Sequence, residues 1–530
     1  MGPRQVLREA GLDRIVTIRV LADLIRTKAA RNGDKCAIRA ENDHVSYAQI
    51  DERSNRLAHM LASHGVGMGA RAAYLSRNRI EFFDILFGAA KIGAATVPVN
   101  WRLAEAEVAG VLTDARPSLL FLEPELARLI DRSALEAQGV VVIDLPETNA
   151  EWVAMLASFP DDDPQIEVPV HEVMYQLYTS GTTGKPKGVM LTHENLFCMA
   201  EPLADAWHFE EGCVVYNPYP VFHGAGILWV LMPLLRNGEA IFRRGFDEVD
   251  LLESIERHRV NITLMVPAVL NMVLNHERAK DADLSSLQHV IYGVAPISQA
   301  VLEQAIARLP NCQFHHAYGS TESAGTITTM QWVDHRPGTE RMRSCGRPFE
   351  WLEMRIVDPE SRMPVGTRAV GEVAVRGRIV MKGYFDNPDE TARVVDSDGW
   401  LYTGDAGFVD EDGFLYLTDR IKDMIISGGE NIYPAEVENV IFAMPQVKEV
   451  AVIGIPDEVW GERVLAVVVP HDGKSVSAEE VIAFSRERLA HYKCPRQVDI
   501  RREPLPLNPT GKVLRRVLRD PYWADQRFKV

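Results

Sequence analysis

The sequence contains few cysteines, and none of the six lies in a CxxC pair. This spacing argues against a structural zinc site and a disulfide framework, and it fits a reduced, cytoplasmic setting. The sequence also lacks an excess of basic residues, since 57 Lys and Arg stand against 74 Asp and Glu, for a net charge of −17. Proteins that bind the nucleic-acid backbone normally carry the opposite balance, so we expect no nucleic-acid partner.

Signals for export and membrane insertion are lacking as well. The N-terminal run MGPRQVLREAGLDR has no apolar stretch of the kind found in a signal peptide. Residues 214–235 contain no Asp, Glu, Lys or Arg, but Pro218, Pro220 and Pro233 interrupt a continuous helix. We therefore expect this segment to be buried core and predict no transmembrane segment.

The sequence does have a globular composition, with 46% hydrophobic and 25% charged residues over 530 positions. Residues 70–122 alternate between strand-like and helix-like patterns, with a helix at 80–92 followed by a strand at 94–99. This βαβ alternation predicts parallel sheet with helices on its faces. From about residue 345 onward, short strands separated by Gly, Pro and Asp turns predict a small antiparallel barrel.

The charged stretch Asp419–Asp423 has little apolar periodicity, and we interpret it as a linker. The remainder has the size of a small domain, and a capping box at Ser477 marks the start of a helix in it. We therefore predict an α/β protein with a large N-terminal domain of doubly wound subdomains plus a small β-barrel, residues 1–418. A hinge at 419–423 and a small α+β C-terminal domain at 424–530 follow.

The strongest motif runs from Tyr178 to Val189 and reads YTSGTTGKPKGV, directly after a predicted strand. Its glycines leave backbone N–H groups free to face an anion, its hydroxyls add donors, and Lys185 and Lys187 add positive charge. The motif suits a polyphosphate. It is not a Walker A loop, because Thr179 replaces the first glycine and Pro186 follows Lys185. A kinase- or ATPase-type P-loop is therefore rejected.

Four further motifs follow in order: Tyr318–Glu322 (YGSTE), Tyr402–Asp405 (YTGD), the stretch Asp419–Asp423 and Asn508–Lys512 (NPTGK). Together the five motifs resemble those of the adenylate-forming superfamily, which contains acyl-CoA synthetases, peptide-synthetase adenylation domains and beetle luciferase. The matches extend from about residue 35 to residue 517. The resemblance implies ATP and Mg²⁺ as cofactors, CoA as co-substrate and a mobile C-terminal domain.

The resemblance also implies an ATP site built from the phosphate loop, an adenine segment and a ribose carboxylate. The residues it assigns to ATP or AMP are Thr179, Ser180, Gly181, Thr182, Thr183, Gly184, Lys187, Gly293, Val294, Ala295, Pro296, Tyr318, Gly319, Thr321, Asp405 and Arg420. Glu322, a hard oxygen ligand, and Thr182 are expected to hold Mg²⁺. Asp405 is expected to accept both ribose hydroxyls.

Two lysines are assigned to the moving part of the chain. Lys512 is expected to bridge the substrate carboxylate and the α-phosphate, where an ammonium offsets the repulsion between two anions. Lys422 is expected to be the hinge, and rotation there would bring Gly428 and Gly429 to the tunnel for the CoA thiol. Lys493 is a candidate contact to a CoA phosphate, with a solvated surface lysine as the alternative.

The run Pro220–Gly226 resembles the acyl-side motif of CoA ligases, in which a histidine lies near the carboxylate and the incoming thiol. His223 occupies that position, where peptide-synthetase adenylation domains usually have Asp, so we do not expect an α-amino acid as substrate. The predicted acyl pocket is lined by His223, Gly224, Trp229, Tyr292 and Ala317. Ala317 stands where relatives often carry Gly, which argues against very long straight chains.

These observations predict an AMP-forming acyl-CoA synthetase, an acid–thiol ligase, with Lys512, His223, Glu322 and Thr182 as catalytic residues. The acid and ATP would give an acyl-adenylate and pyrophosphate, and the CoA thiol would then displace AMP. A medium- to long-chain fatty acid is the predicted substrate, with a cinnamate-, ferulate- or benzoate-type aryl acid as the alternative. A carrier-protein acceptor, a luciferase-type oxidase and an inactive ATP-binding module stay open, as does the oligomeric state, including a homodimer.

Overall fold

The computed structural model describes residues 18–41, 43–180, 186–293, 297, 299–336, 338–420, 423–427, 430–457, 460–489, 491–507 and 513–523. Helices and strands alternate through most of these ranges. The chain therefore has the predicted mixed α/β class, with a large N-terminal part and a small C-terminal part.

Most of the strands are short. In chain order they are β1 (Cys36–Arg39), β2 (His44–Ser46), β3 (Arg71–Leu75), β4 (Ala95–Pro98), β5 (Leu119–Leu122), β6 (Val141–Asp144), β7 (Val173–Ser180), β8 (Pro186–Thr192), β9 (Val214–Asn217), β10 (Glu239–Phe242), β11 (Ile262–Leu264), β12 (His289–Gly293), β13 (Gln313–Tyr318), β14 (Thr328–Met330), β15 (Arg347–Pro348), β16 (Glu353–Val357), β17 (Gly371–Arg376), β18 (Gly383–Tyr384), β19 (Trp400–Val409), β20 (Leu415–Arg420), β21 (Ile425–Ser427), β22 (Glu430–Ile432), β23 (Val447–Asp457), β24 (Gly461–Pro470) and β25 (Gln497–Ile500).

The α-helices connect or cover these strands. They are α1 (Leu21–Asn32), α2 (Tyr47–Ser63), α3 (Glu81–Lys91), α4 (Glu105–Ala115), α5 (Arg132–Ala137), α6 (Asn149–Leu156), α7 (His193–Ala206), α8 (Gly224–Leu235), α9 (Glu248–His258), α10 (Pro267–Asn275), α11 (Gln299–Arg308), α12 (Pro388–Val394), α13 (Pro434–Phe442), α14 (Ala478–Arg486) and α15 (Arg515–Trp523).

Two large sheets form the N-terminal part. The first has the order β18-β8-β7-β4-β3-β5-β6. The strands from β7 to β6 are parallel, and β8 pairs antiparallel with both β7 and β18. The second has the order β15-β14-β13-β12-β11-β9-β10-β1-β2. Every residue of α3 is buried, and the Phe83 ring lies 4.9 Å from that of Phe242 on β10. A helix buried all round is expected where it is covered on more than one side.

The smaller sheets follow in the chain. β16, β17, β19 and β20 form a four-stranded antiparallel sheet where the sequence predicts a small barrel. β20 extends to Arg420, so the first two residues of the predicted linker belong to a strand. The C-terminal sheet has the order β22-β21-β24-β23, with β25 added to β24. Ser477 caps α14 in the predicted capping box with Glu480.

The uncharged segment 214–235 contains β9 and α8. Helix α8 has Pro233 inside it, and its residues from Gly226 to Leu235 are buried in the protein core, as predicted. In the part of the chain that the structure describes, no helix combines the length and the apolar character needed to cross a bilayer.

Candidate active site

The phosphate motif lies on the hairpin formed by β7 and β8. Thr179 pairs with Lys187, and Ser180 pairs with Pro186, so the two ends of the motif face each other across the antiparallel ladder. The predicted contacts Gly181, Thr182, Thr183 and Gly184 lie outside the described residues. The hairpin therefore fixes both ends of the loop, and the assignment of the loop residues to phosphate stays a prediction.

Tyr178, in the first strand of this hairpin, links the strand to α4. Its hydroxyl donates to Oδ2 of Asp114 on α4 at 2.6 Å and accepts from Nε2 of Gln176 at 2.9 Å. Gly188 lies directly opposite: a Cβ there would be 2.7 Å from Nε2 of Gln176 and 3.1 Å from the Tyr178 ring. A side chain at this position would therefore displace Gln176 or Tyr178, because these two anchoring side chains fill the space.

The second strand is held through Lys187. Its ammonium forms an ion pair with Glu390 on α12, and the two side chains are only 11% and 16% exposed. The ammonium also lies 5.1 Å from the ring centroid of Tyr384. Donation from Lys187 lowers the pKa of Glu390. In the structure, the predicted phosphate-binding lysine thus has a carboxylate partner.

The predicted metal ligand Glu322 lies in the short 3₁₀ turn Thr321–Ser323. Its Oε1 accepts from the Tyr384 hydroxyl at 3.0 Å, and its backbone carbonyl accepts from the Met381 N–H at 2.9 Å. Gly319 makes the turn possible, because a Cβ there would lie 1.9 Å from the carbonyl oxygen of Gly325. The side chain and backbone of Glu322 are both held by the segment that leads into and forms β18.

The Tyr318 hydroxyl donates to Oδ2 of Asp405 at 2.8 Å, and both residues are buried. Burial and the neighbouring carboxylate raise the pKa of Tyr318 far above its usual value. The Asp405 N–H donates to the Thr403 hydroxyl at 3.1 Å, and Gly404 takes φ +73°, in the left-handed region that favours glycine. The YTGD motif is thus an irregular stretch of β19 that brings Asp405 to the end of β13.

Two positions of the predicted adenine and acyl regions lie side by side. Gly293 ends β12 and pairs with Ala317 on β13. A Cβ on Gly293 would be 2.1 Å from the carbonyl oxygen of Ala317, so the strands can approach only with glycine there. Val294, Ala295 and Pro296 lie outside the described residues.

His223 is the N-cap residue of α8. Asn78 fixes the segment before it, donating to the Tyr219 carbonyl at 2.8 Å and accepting from the Val221 N–H at 3.1 Å. The His223 ring packs edge-on against Phe222, with centroids 4.7 Å apart. The first N–H groups of a helix favour a negatively charged neighbour, so this position suits a carboxylate.

Two of the predicted pocket residues have their described contacts in the core. Trp229 stacks on Trp207 with centroids 6.0 Å apart, and Trp207 donates to the Thr329 hydroxyl at 2.9 Å. The Tyr292 hydroxyl lies 2.9 Å from Nε2 of His335. Gly224 has open space beside its Cα, since a Cβ there would meet nothing within 4 Å. The acyl-pocket role of Trp229, Tyr292 and Gly224 stays a prediction.

The predicted CoA and hinge residues are the least described part of the site. Lys493 contacts both carboxylate oxygens of Glu436 at 2.7 Å, so its ammonium already has an anionic partner. Lys422, Gly428, Gly429, Lys512 and the side chain of Arg420 lie outside the described residues. Leu507 and Val513, which flank the lysine motif, form an isolated antiparallel bridge.

Sequence reasoning missed Tyr384 and Glu390. Both lie between the recognised motifs, and neither residue type is distinctive alone. Asn387 and Pro388 do mark a helix start, and Asn387 caps α12 by accepting from the Glu390 N–H at 3.2 Å. That signal predicts a helix there, but it does not show that the helix meets the phosphate hairpin.

The fold and the site define a nucleotide-binding α/β enzyme, with an anchored glycine-rich hairpin, a buried Tyr–Asp pair and an acidic turn on neighbouring strands. The chain belongs to the AMP-binding enzyme family: its sequence profile matches residues 25–385, and that of the AMP-binding enzyme C-terminal domain matches residues 436–512. The predicted membership of the adenylate-forming superfamily is confirmed.

Several proteins of known name are similar over nearly the whole chain. The fatty acid–[acyl-carrier-protein] ligase ScoC of Streptomyces coeruleorubidus is 38% identical over 93% of this chain and 95% of the relative. The feruloyl-CoA synthase of Amycolatopsis sp is 37% identical over 90% and 94%. The o-succinylbenzoate CoA synthetase MenE of Bacillus subtilis, in complex with its acyl-adenylate intermediate, is 31% identical over 94% and 98%, with a TM-score of 0.82. A further MenE structure contains ATP and a magnesium ion.

Proposed function

We propose that this protein is an AMP-forming acyl-CoA synthetase. A carboxylic acid attacks the α-phosphorus of ATP, pyrophosphate leaves, and the thiol of CoA then attacks the acyl-adenylate and releases AMP. The observation that carries the proposal is the bond between Tyr318 and Asp405, because Tyr318 lies four residues before Glu322 on the same segment. Asp405, a carboxylate that suits a ribose diol, is thereby connected through Tyr318 to the segment that carries Glu322, a carboxylate that suits a metal-bound phosphate.

The donor set fits Mg²⁺. Within the described ranges, Oε1 of Glu322 accepts one hydrogen bond and Oε2 has no hydrogen-bond partner, so a hard carboxylate oxygen is open. Glu322 and Thr182 would hold the ion, which neutralises phosphate charge when bound. Lys512 would offset the repulsion between carboxylate and α-phosphate, and His223 would lie beside the reacting carboxylate.

The proposed domain arrangement supports two half-reactions. Residues 1–418 would bind ATP and the acid, residues 419–423 would form the hinge, and residues 424–530 would carry Lys512. Rotation at Lys422 would exchange Lys512 for the Gly428–Gly429 segment during thioester formation. We also place the protein in the cytoplasm, because all six cysteines are free thiols, as expected in a reducing compartment.

The proposed substrate is a medium- to long-chain fatty acid, and the name of the Streptomyces relative supports the fatty-acid class. The feruloyl-CoA synthase supports an aryl acid as the second candidate. The same Streptomyces relative favours a carrier protein as the alternative acceptor, since its name gives an acyl-carrier protein in place of CoA.

The test is pyrophosphate release from ATP over a panel of acids from acetate to palmitate, with benzoate, cinnamate and ferulate. Each acid is assayed alone, with CoA, and with a phosphopantetheinylated carrier protein. Release that CoA stimulates for one class of acid supports the proposal and identifies the acid. If only the carrier protein stimulates pyrophosphate release, the carrier protein is the acceptor and CoA is not. If no acid gives pyrophosphate release, adenylation of the acids tested is refuted.

A further inference from the structure

Tyr384 lies between two groups that the proposed function assigns to ATP. Its hydroxyl is 3.0 Å from Oε1 of Glu322, and its ring centroid is 5.1 Å from the Lys187 ammonium. The residue is 6% exposed. One buried side chain therefore contacts both the predicted metal ligand and the lysine of the phosphate hairpin.

The backbone of Tyr384 is fixed by its contacts with β8 and α12. Tyr384 pairs with Val189 in the β18–β8 ladder, and its N–H donates to the Thr391 hydroxyl at 2.9 Å. The next N–H, that of Phe385, donates to the Gly188 carbonyl at 2.7 Å. The backbone that carries the ring is thus attached to the edge of the strand that carries Lys187.

The hydrogen bond has a consequence for Glu322. A carboxylate that accepts through Oε1 prefers orientations that keep the donor near its plane, and this restricts the direction of its second oxygen. Within the described residues Oε2 of Glu322 has no other partner, so this is the oxygen left for a cation. Preorganisation of a metal ligand by an outer partner commonly changes metal affinity tenfold or more.

The ring acts on Lys187 by a different route. An ammonium beside an aromatic face is attracted by the ring quadrupole, and the same ammonium forms the ion pair with Glu390. Removing only the hydroxyl of Tyr384 leaves this contact intact. Removing the ring breaks both contacts, so the two roles can be separated by substitution.

We propose that Tyr384 is a positioning residue of the ATP site: its hydroxyl orients Glu322 toward the metal, and its ring holds Lys187 at the base of the phosphate loop. The inference rests on the proposed function and adds a residue to it. Tyr384 acts through its two neighbours and need not touch the nucleotide.

The test compares Tyr384→Phe and Tyr384→Leu in the full chain. Mn²⁺ binding is followed by electron paramagnetic resonance in the presence of α,β-methylene-ATP, and binding of the analogue without metal is measured separately. Tyr384→Phe is expected to weaken Mn²⁺ binding about tenfold with unchanged metal-free binding of the analogue. Tyr384→Leu is expected to weaken both.

Tyr416→Phe is the matched control, because the Tyr416 hydroxyl also donates to a carboxylate, Oδ2 of Asp410, at 3.1 Å, and the residue is also 6% exposed. It should bind Mn²⁺ and the analogue like wild type. Unchanged Mn²⁺ binding in Tyr384→Phe, or an equal loss of Mn²⁺ binding in Tyr416→Phe, would overturn this inference and leave the proposed function standing. If wild type binds no analogue, the proposed function fails and the inference falls with it.

Discussion

The Tyr318 hydroxyl donates to Oδ2 of Asp405 at 2.8 Å, across 87 positions of the sequence. Tyr318 ends a strand of the nine-stranded sheet, and Asp405 lies in the four-stranded antiparallel sheet. The bond therefore joins two motifs and two sheets, and it engages one oxygen of the carboxylate that we assign to ribose.

Tyr318→Phe removes the donor and leaves the Asp405 carboxylate buried with one contact fewer. A hydrogen bond to a charged group is worth about 1.5–3 kcal/mol, so we expect the KM for ATP to rise at least tenfold, with the KM for the acid unchanged. Pyrophosphate release measures both. Tyr402→Phe is the control, because Tyr402 donates to Asp396 at 2.8 Å in the same sheet. Equal effects of the two substitutions would contradict the assignment.

The ion pair between Lys187 and Glu390 allows two roles of Lys187 to be tested separately: anchoring the hairpin to α12 and binding phosphate. Glu390→Gln leaves the mostly buried Lys187 ammonium without its carboxylate, so it should lower the free energy of unfolding by about 1–2 kcal/mol. Lys187→Met should cost less, because Glu390 also pairs with Arg393. The double variant should regain much of this loss. If Lys187 also contacts phosphate, ATP-analogue affinity stays low in the double variant. Full recovery of that affinity would assign Lys187 to anchoring only.

Gly224→Ala should change selectivity without disturbing the fold. A Cβ at Gly224 meets nothing within 4 Å, whereas a Cβ at Gly226 would lie 2.3 Å from the Pro220 carbonyl oxygen. If Gly224 lines the acyl pocket, the KM for bulky acids should rise roughly tenfold more than that for small acids. Gly226→Ala should instead lower the thermal unfolding midpoint. Identical selectivity in Gly224→Ala and wild type would remove Gly224 from the pocket.

Lys512→Ala should separate the two half-reactions. Loss of an ammonium that stabilises the charge of the transition state commonly costs about 100- to 1,000-fold in rate, so acid-dependent pyrophosphate release should fall by that amount. Thioester formation from supplied acyl-adenylate and CoA should persist. The substitution Arg516→Ala, in the neighbouring helix, is the control. Equal loss of both half-reactions in Lys512→Ala would exclude the proposed role.

Asp84 should make the folding stability depend on pH. Burial raises the pKa of Asp84 to about 7, against the opposing effects of Arg53 and of the Trp152 indole, which donates to it at 2.8 Å. The unfolded group titrates near pH 3.9, so the folded state retains its proton to higher pH. Stability should therefore fall as the pH rises from about 4 to 7.

Asp84→Asn keeps an acceptor for Trp152 and carries no charge. Its thermal unfolding midpoint should exceed that of wild type at pH 8, and the difference should shrink toward pH 4. Asp358→Asn is the contrasting control, because donation from Ser361 lowers the pKa of Asp358, so its substitution should bring no gain at pH 8. A pH-independent difference for Asp84→Asn would show that the carboxyl group does not titrate in this range.

Features that depend on neighbours in the sequence could be predicted. The spacing of apolar residues predicted the βαβ alternation, and the order of the motifs predicted the family. The capping box at Ser477 predicted the start of α14. The linker predicted at 419–423 begins inside a strand, because β20 continues to Arg420, which pairs with Asp405 on β19.

The motifs and the strand that leads into the phosphate loop were predictable from the sequence, because adjacent residue types indicate a local backbone conformation. The second strand of the hairpin, β8, and the place of the YTGD motif inside β19 were not predicted. The partners of these motifs depend on how distant parts of the chain pack together. Lys187 meets Glu390 across 203 positions, and Glu322 meets Tyr384 across 62. These contacts arise because β18 adds to the edge of β8 and brings α12 with it. Periodicity in a sequence reports which face a residue occupies, and it does not report which distant strand will lie beside it.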